Sequence, residues 1–329
     1  MKNKVAIIIP YFGKLPNTFA VWLKSANANS KFDFLIFTDD KYYYKFDNKP
    51  NVKFIYITFL EFKAKIQNYV DFDICLDKPY KLCDYRPIYG LALQEFLNGY
   101  DFWGFGDIDL VYGNLEHFIN DHILNEYDKV YDLGHLTLLR NIPECNELWK
   151  FKHNLTAYRY DEGWRTPYSC HFDEGWGLTK IAESKGIKTY IGNDFFDIYP
   201  FKKGFYSYNK SKQDRALEKD KGFYFVWEKG NLYLKDNVNK DSFSRELAYV
   251  HFQKRKIQVK NSSVNEKFFI VPNQIVDNLN DTDCNYNTGD MYKELNVKKV
   301  KQHLSRIKNH SIQQKFFRII RPIYRKFNR

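Results

Sequence analysis

Two carboxylates one residue apart, Asp107 and Asp109 in the stretch YDFWGFGDIDLVYGN, are the residues whose type and spacing most directly suggest chemistry. The FWGFG run before them is aromatic and apolar, so it is expected to be a buried strand with the acids at its carboxyl end. In an extended chain residues i and i+2 share a face, so both carboxylates can address one cation while Ile108 turns into the core. Mg²⁺ and Mn²⁺ take such oxygen ligands and complete their shells with phosphate and water. Gly104, Gly106 and Gly113 permit close approach of backbone to a ligand. Paired acids also occur at solvated strand ends. Here a buried strand leads into them, which is costly without a counter-charge.

A second cluster can supply what the acids lack. In AYVHFQKRK, His251 ends an apolar strand and is followed by Lys254, Arg255 and Lys256. The imidazole is a candidate third metal ligand, and the cations could neutralise a diphosphate leaving group. The alternative is a surface-strand histidine followed by a solvated charge run.

These groups need a scaffold to bring them together. KVAIIIPYFGKLPN reads as a strand buried on both faces, NTFAVWLKSANANS as a helix and KFDFLIFTDD as a second buried strand, which makes a parallel βαβ start. NVKFIYIT predicts a third strand, LEFKAKIQNYV a helix, LDKPYKLC a loop and DYRPIYGLALQEFL a further helix. The acidic pair then follows its own strand, at the sheet end where open α/β folds bind ligands. HFINDHIL and PECNELWKFK are expected as helices, KVYDLG and LTLLRN as strands. DEGWGLTKIAESKG should be helical after a loop from Tyr158 to Tyr168, and KTYIGNDF another strand. GFYFVWEKGNLYLKD predicts a hairpin turning at EKGN, and ELAYVHFQKRK the last core strand. The Asn- and Asp-rich stretch beyond it reads as a loop or linker.

The 329 residues are enough for a sizeable core, and aromatic content is high at 19%. Five cysteines without paired spacing predict neither a disulfide framework nor a structural zinc site. A charged start and the lack of any apolar run near the roughly 20 residues of a bilayer span lead us to expect a cytoplasmic chain. The net charge of +11 sits wholly in residues 296–329, which hold 11 Lys and Arg and no acid; elsewhere 40 basic residues balance 40 acids. A neutral body argues against a groove for nucleic acid.

Taken together, IIIPYF, FGDIDLVYG and VHFQKRK resemble the GT-A fold of nucleotide-sugar glycosyltransferases. KPYKLCDYRPIYG followed by DFWGFGDIDLVYG and GHLTLLRN is similar to bacterial transferases of polysaccharide and lipopolysaccharide biosynthesis. The resemblance covers roughly residues 5 to 256. It implies an α/β domain over residues 1–260, a Rossmann-like, mostly parallel sheet flanked by helices; composition and charge add a linker or loop over 261–295 and a basic helical tail over 296–329. It implies a divalent cation, Mn²⁺ or Mg²⁺, held by Asp107, Asp109 and His251, with Asp107 also reaching the donor. Related families often continue after that histidine into Gly and then Lys-Pro. Here the continuation is Gln253-Lys254-Arg255-Lys256, so which cation meets the phosphate stays open, with Lys254 a candidate.

The same resemblance places Pro10, Tyr11 and Phe12 where such folds hold uracil and ribose, with Asp39 ending the next strand nearby. Ordinary loop chemistry is the alternative for each. It sets Asp84 and Arg86 against sugar or phosphate and Lys81 against the diphosphate, although Asp84 could instead cap a helix ahead of Pro87. On the acceptor side His135 and Arg140 flank small residues that would admit a sugar. Asp173 or Glu174 would be the general base of an inverting displacement, and Trp176 would stack on a pyranose. The competing reading makes the acids first-turn helix residues and Trp176 a core residue. A retaining reaction would need no such base.

The tail QQKFFRIIRPIYRKFNR alternates apolar and basic residues at helical spacing, the composition of an interfacial helix on an anionic leaflet, although Pro322 would kink it. A basic helix packed on the body is the alternative. The expected function is metal-dependent transfer of a sugar, from a UDP-sugar foremost, to a glycan or lipid-linked acceptor, at the inner face of the cytoplasmic membrane. Two other readings are a nucleotidyltransferase, for which PYFGKLPN is a poor phosphate loop, and a binding module without catalysis.

Overall fold

The computed structural model describes residues 1–42, 47–155, 158–199, 204–207, 223–236, 244–253, 255–260 and 265–281. Lys254 and the basic tail lie outside the described residues.

The principal sheet is built from β1 (Val5–Tyr11), β2 (Phe32–Thr38), β3 (Val52–Tyr56), β4 (Phe102–Gly106), β6 (Lys129–Leu133), β7 (Leu136–Arg140) and β8 (Thr189–Tyr190). Their order is β3-β2-β1-β4-β7-β6-β8. β1 pairs in parallel with both β2 and β4, and β7 lies antiparallel on β4. Side chains leave this sheet alternately: Val5, Ile7 and Ile9 enter a core with Phe19 and Trp22 of the helix Phe19–Asn27, whereas Ala6 and Ile8 enter another with Phe62 and Tyr85. Burial on both faces is why β1 reads as an unbroken apolar run and β2 as one interrupted by Asp33, each large side chain contributing about 1.5–3 kcal/mol. The strand order reverses direction at β1, so the carboxyl ends of β1 and β4 border a crevice. Gly104 is needed where β4 meets β7, since a Cβ there would lie 2.3 Å from the Thr137 carbonyl.

Two smaller sheets cover the helix Phe19–Asn27. β5 (Leu110–Tyr112), β13 (Tyr249–His251) and β9 (Phe195–Asp197) form one, with β13 central, antiparallel to β5 and parallel to β9. The other contains β10 (Phe223–Glu228), β11 (Asn231–Asp236), β12 (Ser244–Leu247), β14 (Gln258–Val259), β15 (Lys267–Val271) and β16 (Gln274–Val276). The β10–β11 hairpin turns through Lys229 and Gly230, both at positive φ, as a two-residue turn requires.

Several expectations are corrected. The helix expected from Asp84 starts at Pro79 as a 3₁₀ segment to Ile88, because Pro87 lacks the N–H an α ladder needs. The helix expected from Asp173 is confined to Leu178–Ser184, so Asp173 and Glu174 precede it rather than forming its first turn. ELAYVHFQKRK is not one strand: it breaks at Ala248 and feeds two sheets, β12 and β13. The stretch expected to be linker from 261 contributes β15 and β16, whose apolar residues Phe268, Ile270, Ile275 and Val276 are buried.

Candidate functional site

The DID segment is held by backbone contacts from three directions. The Asp107 amide donates to the His135 carbonyl at 3.1 Å and the Phe252 amide to the Asp109 carbonyl at 2.9 Å. Trp22 Nε1 donates to the Asp107 carbonyl at 3.2 Å, and Ile108 is buried between the two acids. β13 runs in register with β5, His251 opposite Leu110, which delivers the imidazole to the carboxylates. His251 Nε2 lies 3.3 Å from Asp109 Oδ1 and 3.8 Å from Asp107 Oδ2. Each of the three residues can place one ligand atom within 4.8 Å of the others.

Asp197, at the end of β9, meets His251 Nδ1 at 2.9 Å and also accepts from Gln253 Nε2 at 2.8 Å. Burial alone would lower the His251 pKa, but the carboxylates of Asp109 and Asp197 outweigh it and raise it well above its usual range; a bound cation would displace that proton from Nε2. Such a tetrad fits a divalent cation. Two hard carboxylates and one Nε2 converge, and a carboxylate orients the imidazole from behind. His135 packs on His251 with ring centroids 4.5 Å apart and meets the Tyr249 hydroxyl at 2.9 Å. Burial first, then the neighbouring His251 and Arg86, keep His135 neutral.

Arg86 is the second organising group. It bonds Asp107 through Nη2, and through Nη1 reaches both Asp173 Oδ2 and the Gly134 carbonyl at 2.8 Å. Asp173 is only 1% exposed; burial pushes its carboxyl up to about 7 despite Arg86. Burial would also raise Glu174, but the His171 imidazole 3.4 Å away holds it below the ordinary range. The two acids are therefore split: the more basic one is sealed against Arg86, and the more open one is acidified.

The other expected residues are distributed unevenly. Lys81 and Asp84 form a buried ion pair; Lys81 also donates to the carbonyls of Gly163 and Tyr168, and Asp84 accepts from the amides of Cys170 and Phe172. Neither is open to a donor, which corrects that expectation, and together they pin the 163–172 segment onto the 3₁₀ turn. Arg140 pairs with Asp128 at 2.7 Å and lies opposite Phe102, at the far end of β4 from Asp107, so it does not border the acceptor side. Phe12, half-buried, packs edge-on against Phe59 and Phe62 at the edge of the core. Pro10 and Tyr11 close β1, and burial with the charge of Asp109 raises the Tyr11 hydroxyl. Asp39 accepts from the Gly13 amide at 2.6 Å and lines, with Lys14, Asp40, Lys41 and Tyr42, a cleft of about 720 Å³.

Asp197 escaped the sequence reading, although an acid closing the aromatic run NDFFD carries the same signal as Asp107. The bridging role of Arg86 had no local signal, because its two carboxylate partners, Asp107 and Asp173, lie 21 and 87 residues away in sequence.

Fold and site define an α/β protein whose sheet carries a cation-competent carboxylate–imidazole centre at its switch point. The chain belongs to a family of unknown function, DUF6625, which matches residues 7–279. No curated protein matches it in sequence. Among solved structures it is similar to the galactosyltransferase LgtC in complex with donor and acceptor sugar analogs, at 11% identity and a TM-score of 0.38, covering 76% of this chain and 88% of that one. It is also similar to the mannosyltransferase PcManGT from Pyrobaculum calidifontis in complex with GDP-Man and Mn²⁺, at 10% identity and a TM-score of 0.34, covering 59% and 56%.

Proposed function

We propose that the chain is a metal-dependent glycosyltransferase that moves a sugar from a nucleotide-sugar donor, a UDP-sugar foremost, to a hydroxyl of a glycan or lipid-linked glycan. The observation that carries this reading is the meeting of Asp107, Asp109 and Asp197-oriented His251 at the carboxyl ends of β4 and β13. Asp107, Asp109 and His251 would hold a Mn²⁺ or Mg²⁺, which would supply Lewis-acid stabilisation of a diphosphate leaving group. Arg86 fixes the orientation of Asp107 and is positively charged under all working conditions. The cleft beside Gly13 and Asp39 suits the nucleoside, and Tyr11, within the field of Asp109, ends the strand that leads to it. Glu174 accepts a hydrogen bond from the acceptor, and Asp173 acts as a positioning residue through Arg86.

Residues 296–329 attach the enzyme peripherally to the inner face of the cytoplasmic membrane, a reading supported by their charge and apolar spacing. Co-sedimentation with anionic vesicles, lost on deleting 296–329, tests it. For the transfer reaction, donor turnover is followed over a nucleotide-sugar panel with Mn²⁺, with chelator, and with Asp109→Ala. Turnover of one donor that needs both metal and Asp109 is expected; turnover surviving both challenges overturns the metal mechanism.

A further inference from the structure

Five of the six tryptophans, Trp22, Trp103, Trp149, Trp164 and Trp227, are at most 1% exposed, whereas Trp176 is 60% exposed. Tyr80 and Tyr168 are likewise 70% and 60% exposed. Single apolar rings in water are ordinary on a protein surface, but these three share a setting. Tyr80 precedes Lys81, whose ammonium bonds the Tyr168 carbonyl, and Cys83 Sγ meets Ser169 Oγ at 3.3 Å, so Tyr80 and Tyr168 stand on abutting segments. Trp176 lies in the turn that follows Asp173 and Glu174, closed by the Gly177 amide on the Glu174 carbonyl at 2.9 Å. Arg86 ties this turn to the cation centre, with Asp173 on one guanidinium nitrogen and Asp107 on the other. The Tyr80 hydroxyl is pushed up to about 12, first by the protein around it and then by Cys83, Asp107, Glu174 and Asp173. The open Tyr80 ring thus stands within the electrostatic reach of the acids of the cation centre and of the Trp176 turn.

We propose that Tyr80, Tyr168 and Trp176 form an acceptor subsite that stacks on the apolar C–H face of an uncharged hexopyranose. This deepens the glycosyl-transfer reading and rests on it. Three rings interleaved with Ser169, His171 and Glu174 give the mixture a sugar requires, flat apolar surface beside groups that bond hydroxyls. A continuous apolar partner surface would lack such polar breaks. Anionic sugars are disfavoured, because the Glu174 carboxylate lies two residues from Trp176 and the imidazole of His171 is already engaged by it.

The exposed indole makes the test direct. With the full chain, Mn²⁺ and UDP present, acrylamide quenching of tryptophan fluorescence reads Trp176 selectively. Neutral methyl hexopyranosides and short neutral oligosaccharides should include one that protects it at least threefold, while uronic acid glycosides should not. Trp176→Phe removes the quenchable signal and marks its source. In transfer assays, Trp176→Ala and Tyr168→Ala should each raise the acceptor KM tenfold or more and leave metal-dependent donor hydrolysis within twofold of the parent. Donor hydrolysis intact with acceptor KM unmoved in both variants overturns the subsite alone. Failure of any nucleotide sugar to turn over overturns the transfer reading; sugar protection of Trp176 in that case still supports the subsite. Protection by no neutral glycoside overturns it.

Discussion

His251 Nδ1 is held 2.9 Å from Asp197 Oδ1, and this contact leaves only Nε2 to face Asp109. A ligand ring with a carboxylate behind it keeps one tautomer and one orientation, and losing such support typically costs tenfold to a hundredfold in metal affinity. Asp197→Asn should therefore weaken Mn²⁺ binding by about 10–100-fold with an unchanged far-UV spectrum. His251→Ala should weaken it more. Calorimetric titration reads both, and an unaltered affinity in Asp197→Asn would remove Asp197 from the site.

Arg86 neutralises Asp107 and the sealed Asp173, so its deletion leaves Asp173 uncompensated and Asp107 with His251 alone. Arg86→Met is expected to cost about 3–5 kcal/mol in urea unfolding. Adding Asp173→Asn should recover part of that loss, since one stranded charge is then removed. A purely additive double mutant would show that the two do not act as a pair.

Gly134 is required by close approach. A Cβ there would lie 2.5 Å from Asp173 Oδ2 and 2.7 Å from Arg86 Nη1. Gly134→Ala should cost about 1–3 kcal/mol by the overpacking rule and shift Arg86 away from Asp107. Unchanged stability together with unchanged Mn²⁺ affinity would contradict this.

Lys129 is fully buried in β6, its ammonium bonded to the Tyr131 carbonyl, and burial lowers its pKa to about 8. Its unfolded value lies higher, near 10.4, so between pH 8 and pH 10.4 the unfolded chain binds more protons and native stability rises with pH. At pH 7 the buried charge is a net burden, and Lys129→Met should stabilise by about 1–2 kcal/mol. The advantage should shrink as pH climbs through that window, as melting curves at pH 7 and pH 9.5 would reveal. A destabilised variant at pH 7 would mean that the bond to Tyr131 outweighs desolvation.

The parallel half of the sheet was readable because β1 and β4 are unbroken apolar runs and β2 is interrupted only by Asp33 before its terminal Thr38, and the acidic pair because strand periodicity aligns Asp107 with Asp109. His251 was readable since it closes an apolar stretch. Its setting was not: whether β13 joins β5 or continues β12 depends on a break at Ala248 that no local residue preference announces. The roles expected of Lys81 and Asp84 failed for a related reason. Charged side chains before a helix read as open, yet tertiary packing sealed these two against the 163–172 segment. The strands β15 and β16 were hidden by polar neighbours on either side of KFFIV and QIV.

The pairing of His251 with the Leu110 register has a temporal meaning. About 140 residues separate the two halves of the cation centre, so the ribosome releases the acids long before the imidazole that completes them. Capture of a cation there would report that these two distant halves have met, and by mass action it would favour the closed form over every partly folded one.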